Sequence, residues 1–244
     1  MQFESIAAVL FDLDGTLLEH AFTWEEICRA TYDEFADRID PAKQDQFWAA
    51  YSAKAGELWA MMLDGSLPQH GARTTGLLHA LREINADEGL AAPMLLSRDR
   101  KLLEGGALAT DAIPVLRRLR SAGLKIGIVT NGYISTQQMK IDHYGLDSYV
   151  DFTVISQAVG FHKPDKAIFD VALSLAEAAP ECAVFVGDTV ETDIHGALNA
   201  GLHPVLIDQT RTHDGLVSYG GQEVTITCIR RLRQLLPELR MEEM

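Results

Sequence analysis

The apolar run from Ile6 to Leu10 is the feature that most restricts how this chain can fold. It is short, it lies near the start of the chain, and acidic residues follow it at once, so it predicts a buried strand. A single strand cannot bury itself and needs neighbours in a sheet. The other strand-like runs all lie beyond residue 110. The sequence therefore predicts a discontinuous core, in which the first strand joins a sheet built from the second half of the chain.

Strand and helix patterns alternate from Asp111 onward. Such alternation predicts a doubly wound parallel α/β sheet of the Rossmann-like kind, covered by helices on both faces. The predicted strands are residues 125–130, 152–155, 183–186, 204–207 and 224–228. The predicted helices are residues 112–122, 135–144, 165–176, 191–200 and a closing helix 229–239.

The segment between the first strand and this alternation has helical spacing and almost no strand signal. Asp40-Pro41 breaks its first helix, and Gly105-Gly106 reads as a hinge at its end. Four helices are predicted, at about residues 22–35, 41–63, 74–85 and 94–103. We therefore expect a catalytic core of residues 1–17 and 108–244 with an inserted all-helical cap domain of residues 18–107.

Composition excludes several classes of partner. The 244 residues are 47% hydrophobic and have a net charge of −14, which opposes binding to nucleic acid and to anionic membranes. The first ten residues lack a basic cluster, and no apolar run approaches the roughly 20 residues of a membrane span.

The cysteines Cys28, Cys182 and Cys228 are far apart, which fits a reducing cytoplasm. We expect a cytoplasmic monomer or homodimer.

Two carboxylates, Asp12 and Asp14, follow the first strand with one residue between them. Alternate residues of a strand share a face, so both side chains should point the same way. Two acidic groups this close repel each other, and burial would raise the pKa of at least one. A bound divalent cation would justify that cost. So would a division of labour between a nucleophile and a proton carrier.

The ends of the other predicted strands provide matching chemistry. In open parallel sheets, ligands bind beyond the carboxyl ends of the strands. Those ends provide carboxylates, a hydroxyl, an amide and a lysine, in the segments Thr130-Asn131-Gly132, His162-Lys163-Pro164, Gly187-Asp188 and Asp193. Oxygen ligands of this kind select Mg²⁺, and hydroxyl and ammonium donors can hold phosphoryl oxygens.

With these segments in order, the chain resembles the haloacid dehalogenase-like hydrolases. Asp12-Leu13-Asp14-Gly15-Thr16 is similar to the first motif of the family and Thr130-Asn131-Gly132 to the second. Lys163-Pro164-Asp165 is similar to the third motif and Gly187 to Asp193 to the fourth. The inserted segment resembles the helical cap type of the family. Within the family, the sequence from Val129 to Asp208 resembles the pyrimidine nucleotidases and the N-acylneuraminate phosphatases. The phosphoglycolate phosphatases are the next candidates.

The resemblance implies a role for each motif residue. Asp12 would attack phosphorus, and Asp14 would protonate the leaving oxygen and then take a proton from water. Thr130 and Lys163 would hold the phosphoryl oxygens, and Asn131 would orient the substrate or the loop. Mg²⁺ would be bound by the side chains of Asp12 and Asp188 and by the backbone carbonyl of Asp14. Asp193 would support the metal site from the first turn of its helix.

The function implied is a magnesium-dependent phosphatase for a small phosphorylated metabolite, such as a nucleotide, a sugar phosphate or phosphoglycolate. A phosphomutase remains an alternative, because the same motifs can return the phosphoryl group to a substrate. A 2-haloacid dehalogenase would keep the nucleophile but needs neither Mg²⁺ nor an acid for the leaving group, so Asp14 and Asp188 argue against it. A phospho-acceptor signalling module would need only about half this length and no cap.

Overall fold

A computed structural model describes residues 6–64, 66, 72–210 and 215–241 of the chain. The chain divides into two compact units. The first comprises Met1–Glu19 and Leu108–Met244, and the second comprises His20–Ala107.

The first unit is built on a seven-stranded sheet. The strands of the described chain are β1 (Ala8–Phe11), β2 (Leu18–His20), β3 (Gly106–Leu108), β4 (Lys125–Thr130), β5 (Phe152–Ile155), β6 (Ala183–Gly187), β7 (His203–Ile207), β8 (Gly215–Tyr219) and β9 (Gln222–Ile229). Their order in the large sheet is β5-β4-β1-β6-β7-β9-β8. All neighbouring pairs are parallel except β8 and β9, which form an antiparallel hairpin. The predicted fold class, a doubly wound α/β sheet that the first strand joins, is confirmed, and β1 lies between β4 and β6.

Helices account for most of the remaining described chain. The second unit contains α1 (Trp24–Asp33), α2 (Gln44–Leu63), α3 (Ala72–Glu83) and α4 (Ala91–Glu104). The first unit contains α5 (Ala112–Ser121), α6 (Ile134–Tyr144), α7 (Ser156–Val159), α8 (Lys166–Ala176), α9 (His195–Ala200) and α10 (Leu235–Glu238).

Every residue of β1 is fully buried, because the strand has helices on both sides. Val9 and Phe11 belong to one apolar cluster, and Ala8 and Leu10 belong to the cluster on the opposite face. This division follows from the alternation of side chains along a strand. The side chains of β1 therefore contribute to two apolar cores, one on each face of the sheet. Packing on both faces fixes the carboxyl end of the strand.

The helical unit has a core of its own. Tyr32, Phe47, Leu81 and Met94 belong to one buried cluster drawn from all four of its helices. A capping box at Thr23 fixes the start of α1, where the Thr23 hydroxyl accepts a hydrogen bond from the backbone N–H of Glu26 and the Glu26 carboxylate accepts one from Thr23.

Three details of the sequence prediction are wrong. The closing helix does not start at Ile229, because β9 continues to that residue and pairs it with Ile207 of β7; the final helix is the short α10. The strand β8 was not predicted, although Gly220 and Gly221, both with positive φ, form the two-residue turn of its hairpin. Gly106 is not a free hinge residue, because it begins β3, which pairs with β2.

Within the described part of the chain, no helix is long and apolar enough to cross a membrane. None of the three cysteines of the described chain, Cys28, Cys182 and Cys228, forms a disulfide.

Candidate active site

The order of the strands brings the predicted site residues to one edge of the sheet. Asp12 directly follows β1, Thr130 ends β4 and Asp188 directly follows β6. Because β4, β1 and β6 are adjacent and parallel, their carboxyl ends lie side by side. The geometry thus assembles groups that are far apart in the sequence.

Lys163 is the centre of a buried ion-pair cluster. Its ammonium nitrogen Nζ lies 2.6 Å from Oδ1 of Asp12 and 2.7 Å from Oδ1 of Asp193. The three side chains are 3%, 10% and 1% exposed, respectively. The same ammonium group lies 5.4 Å from the ring centroid of Phe185, which adds a cation–π contact.

Burial dominates the electrostatics of this cluster. It raises the pKa of Asp12 from its usual 3.8 to about 7, while the positive charge of Lys163 opposes the rise and the negative charge of Asp193 adds to it. Burial lowers the pKa of Lys163, but the charges of Asp12 and Asp193 outweigh it, so the net pKa is raised. Burial and the charge of Asp193 also raise the pKa of Asp188. The site thus has more negative charge than one lysine neutralises.

The carboxylates of Asp12, Asp188 and Asp193 could hold a metal ion. One oxygen from each lies within 4.8 Å of the others. Three carboxylates and one ammonium group leave two negative charges, which match a divalent cation, and oxygen ligands suit Mg²⁺. The side chain of Asp14 is not in this group, and the predicted contact through its backbone carbonyl remains a prediction.

Two glycines make room for these carboxylates. A Cβ at Gly15 would lie 2.1 Å from Oδ2 of Asp188, and Gly15 also has a φ of +79°. A Cβ at Gly187 would lie 2.5 Å from the carboxyl carbon of Asp193. Both glycines are therefore explained by close approach of the backbone to the acidic cluster.

Asn131 positions the loop that carries Lys163. Its side-chain carbonyl accepts a hydrogen bond of 2.9 Å from the backbone N–H of Lys163, and its amide nitrogen donates one of 3.0 Å to the Lys163 carbonyl. Of the two predicted roles for Asn131, orienting the substrate or the loop, the structure shows contacts to the loop.

Asp193 reaches the cluster from a π-helical turn, Val190–Ile194, which continues into α9. The turn places the buried carboxylate against Lys163 and against the backbone N–H of Thr189, which donates a hydrogen bond of 3.1 Å to Oδ2. The prediction placed Asp193 in the first turn of a regular helix. A local π-helical turn has no clear sequence signature, so the spacing could not show it.

The prediction that strand alternation sets the directions of Asp12 and Asp14 is wrong, because β1 ends at Phe11 and both residues lie beyond it. The two carboxylates have different partners. Asp12 contacts Lys163, whereas both oxygens of Asp14 contact Nζ of Lys140, at 2.6 and 2.5 Å. Two lysines therefore relieve the repulsion between the two aspartates.

Sequence analysis missed Lys140 and its neighbour on α6, Gln137. The amide nitrogen of Gln137 lies 3.0 Å from Oδ2 of Asp14 and 2.6 Å from Oγ1 of Thr130. The available signal was weak. The two polar residues are three apart on a helix that starts close after Thr130, so they share one face, but helical spacing alone does not show what that face contacts.

The fold and the site together define an α/β protein with an acidic, lysine-containing centre at the carboxyl edge of a parallel sheet. Comparison with known proteins gives the family. The sequence model of the haloacid dehalogenase-like hydrolases matches residues 6–201. The chain belongs to this family.

Individual relatives include phosphatases. The chain is 47% identical to the pyrimidine 5'-nucleotidase YjjG of Escherichia coli over 92 residues, which are 37% of this chain and 40% of that protein. It is 28% identical to the human N-acylneuraminate-9-phosphatase over 218 residues, 83% of this chain and 82% of that protein. Over several curated relatives the chain spans only 40% to 55% of the relative's length.

Solved structures include relatives with other chemistry. The 2-haloacid dehalogenase of Pseudomonas syringae superposes with a TM-score of 0.70 and 25% identity, over 96% of this chain and 98% of that one. Similarity of fold alone therefore does not distinguish phosphate substrates from halide substrates. The residues of the site have to be compared with the needs of each reaction.

Proposed function

We propose that this hydrolase is a magnesium-dependent phosphatase that cleaves a small phosphomonoester through an aspartyl phosphate on Asp12. The supporting observation is the cluster of Asp12, Lys163, Asp188 and Asp193, in which a buried carboxylate lies against an ammonium group and two further acids. A phosphoryl group brings several negative oxygens to such a site, so it needs both the lysine and a second positive charge.

The residues fit Mg²⁺ by donor type and by charge. Asp12, Asp188 and Asp193 would hold the ion, with the backbone carbonyl of Asp14 as a further ligand. When bound, the ion would supply positive charge that keeps Asp12 ionised and offsets the charge of the phosphoryl group.

In the first half of the reaction, the Asp12 carboxylate attacks phosphorus and the P–O bond to the alcohol breaks. Asp14 enters this half with a proton on one of its oxygens and gives that proton to the departing oxygen; the second half restores it. The ammonium group of Lys163 and the hydroxyl of Thr130 hold phosphoryl oxygens, and Asn131 keeps Lys163 in place through its two backbone hydrogen bonds.

In the second half, water attacks phosphorus and Asp14 takes a proton from that water. The bond between Asp12 and phosphorus breaks, inorganic phosphate leaves and the free carboxylate returns. Asp14 therefore alternates between acid and base, which is the work expected of a carboxyl group held next to the nucleophile.

The proposed substrates are nucleotides and sugar phosphates, with phosphoglycolate next. The likeness to a pyrimidine 5'-nucleotidase and to an N-acylneuraminate-9-phosphatase supports this range. We also propose a cytoplasmic location, consistent with three cysteines that form no disulfide.

A phosphate-release screen tests the proposal. The protein is assayed with Mg²⁺ against nucleoside monophosphates, sugar phosphates and phosphoglycolate, and again with excess chelator. We expect release from at least one class, lost with chelator and in Asp12→Asn. Full activity in the presence of chelator would contradict the magnesium requirement, and no release from any phosphomonoester would contradict the phosphatase.

Dehalogenation is the second candidate, because a 2-haloacid dehalogenase shares the fold at 25% identity. Chloride release from 2-chloropropionate without added metal would favour it. We expect no release, because Asp14 and Asp188 serve a leaving oxygen and a cation that this reaction does not need.

A further inference from the structure

We propose that Gln137 and Lys140 of α6 are positioning residues for the reaction. Gln137 joins the hydroxyl of Thr130 and the carboxylate of Asp14 through one amide group, and Lys140 fixes Asp14 by both of its oxygens. The proposal rests on the proposed function, in which Thr130 holds the phosphoryl group and Asp14 moves protons.

Burial marks these two side chains as part of the site. Gln137 is 2% exposed and Lys140 is 4% exposed, although both are long polar residues that normally extend into water. Burying such groups is unfavourable unless their hydrogen bonds are satisfied. Here the hydrogen-bond partners are Asp14 and Thr130, which the proposed reaction uses.

The hydrogen bonds of the Gln137 amide determine how the Thr130 hydroxyl is oriented. Its amide nitrogen has two hydrogens and two acceptors, Oδ2 of Asp14 at 3.0 Å and Oγ1 of Thr130 at 2.6 Å. The Thr130 hydroxyl accepts from this amide, so its own single hydrogen is left for another acceptor. Gln137 therefore orients Thr130 as a donor, which is the role needed to hold a phosphoryl oxygen.

Lys140 acts on the other partner. Its ammonium group contacts both oxygens of Asp14, and the Asp14 side chain is 35% exposed. A partly exposed aspartate without this partner could adopt several rotamers. The two contacts fix the orientation of the carboxylate, so its proton-carrying oxygen stays aligned with the bond that breaks.

Leaving-group dependence separates positioning from a merely structural role. The p-nitrophenolate of p-nitrophenyl phosphate leaves with little help from an acid, whereas the phenolate of phenyl phosphate needs more. Misplacing Asp14 should therefore slow phenyl phosphate more than p-nitrophenyl phosphate. General damage to the fold should slow both substrates equally.

For Gln137, the variant Gln137→Met keeps the length and removes the donors. We expect kcat for phenyl phosphate to fall about 10- to 100-fold, with a smaller fall for p-nitrophenyl phosphate. We also expect weaker inhibition by inorganic phosphate, because Thr130 loses its orientation. Gln138→Met is the matched control, since Gln138 is the next residue of α6 and its amide donates to Asp142 on the exposed side.

For Lys140, the variant Lys140→Met should reduce kcat for phenyl phosphate by a similar factor and leave KM nearly unchanged. Lys140→Arg keeps the positive charge and should recover part of the loss, and it also provides a folded comparison if Lys140→Met is unstable. Lys166→Met is the control, because Lys166 forms an exposed ion pair with Asp170.

Equal losses on both substrates, or losses no larger than those of the two controls, would overturn the positioning proposal. If wild type hydrolyses both esters and Asp12→Asn hydrolyses neither, such a result would leave the proposed function intact. If wild type hydrolyses neither ester, the proposed function fails and the positioning proposal fails with it.

Discussion

At the scale of single residues, the positive charge of Lys163 compensates two buried carboxylates. Its buried ammonium group contacts the carboxylates of Asp12 and Asp193. The side chain of Asn131 forms hydrogen bonds with the backbone N–H and the backbone carbonyl of Lys163. Removing one partner of a buried ion pair leaves the other charge without compensation, which costs more than the pair itself contributes.

Replacing Lys163 by Met should therefore lower the free energy of unfolding by about 3–5 kcal/mol and abolish the proposed phosphatase activity. Urea denaturation in magnesium-free buffer measures the stability. Lys166→Met is the control, and its exposed pair with Asp170 should contribute less than about 1 kcal/mol. Equal losses in the two variants would contradict the ion-pair cluster as described.

Gly15 gives a test of the close approach between backbone and carboxylate. In Gly15→Ala the new Cβ would collide with Asp188. Displacing this carboxylate by about 1 Å should reduce activity about 100-fold. Gly123→Ala is a matched control because Gly123 has a similar φ, +80°, and open space around it. It should cost only about 1–2 kcal/mol of backbone strain and keep its activity. Full activity in Gly15→Ala would show that Asp188 does not need this position.

The site residues differ in how far the sequence reveals them. Asp12, Thr130 and Asp188 were predicted because parallel strands bring their carboxyl ends together, so order along the chain is enough. Gln137 and Lys140 were not predicted, because their partner Asp14 is more than a hundred residues away and only tertiary packing shows which helix face meets it.

At the scale of elements, α1 shows how the helical unit builds its core. Its capping box fixes the start of the helix, and its buried face includes Ile27, Cys28, Thr31 and Tyr32. The sequence analysis predicted a helix at about residues 22–35, so helical periodicity was a sufficient guide to this element. The hairpin of β8 and β9 was harder, since only the glycine pair at its turn indicated it.

Cys28 of α1 should resist chemical modification. Burial raises its pKa from 9.0 to about 12, so almost none of the reactive thiolate exists at neutral pH. We expect a thiol reagent to modify Cys182 and Cys228 first, since both are partly exposed, and Cys28 only after unfolding in urea. Mass spectrometry of the labelled peptides measures the order. Rapid labelling of Cys28 in the native protein would contradict its burial.

The raised pKa also has a consequence for stability. Because the folded pKa lies above the unfolded one, the neutral thiol contributes its full stability below about pH 9 and loses it as pH rises toward 12. Comparing the pH dependence of unfolding in wild type and Cys28→Ala isolates this contribution. An identical slope in both proteins would contradict the raised pKa.

At the scale of the whole molecule, the sheet order explains why the first motif and the last can act together. Residues near position 12 and near position 190 meet because β1 lies directly beside β6. The alternation of strands and helices predicted this sheet. It could not predict the antiparallel edge strand or the length of α10, since the end of the chain lacks the regular spacing of the preceding elements.

Magnesium should stabilise the folded molecule, because the three carboxylates are close together only in the native state. A ligand at a hundred times its Kd adds about 2.7 kcal/mol to the free energy of unfolding. We expect Mg²⁺ to raise the melting temperature of wild type and of Asp147→Asn, an exposed control, but not that of Asp188→Asn. The same rise in all three proteins would place the ion elsewhere.

Identification of the residue that is phosphorylated during turnover tests the role of Asp12 as the nucleophile. The enzyme is mixed with a substrate found in the phosphate-release screen and Mg²⁺, quenched in acid within the first turnover and digested for mass spectrometry. We expect a phosphoryl group on the peptide that contains Asp12, and none on that peptide in Asp12→Asn. A phosphoryl group on another residue, or rapid turnover with Asp12→Asn, would contradict it.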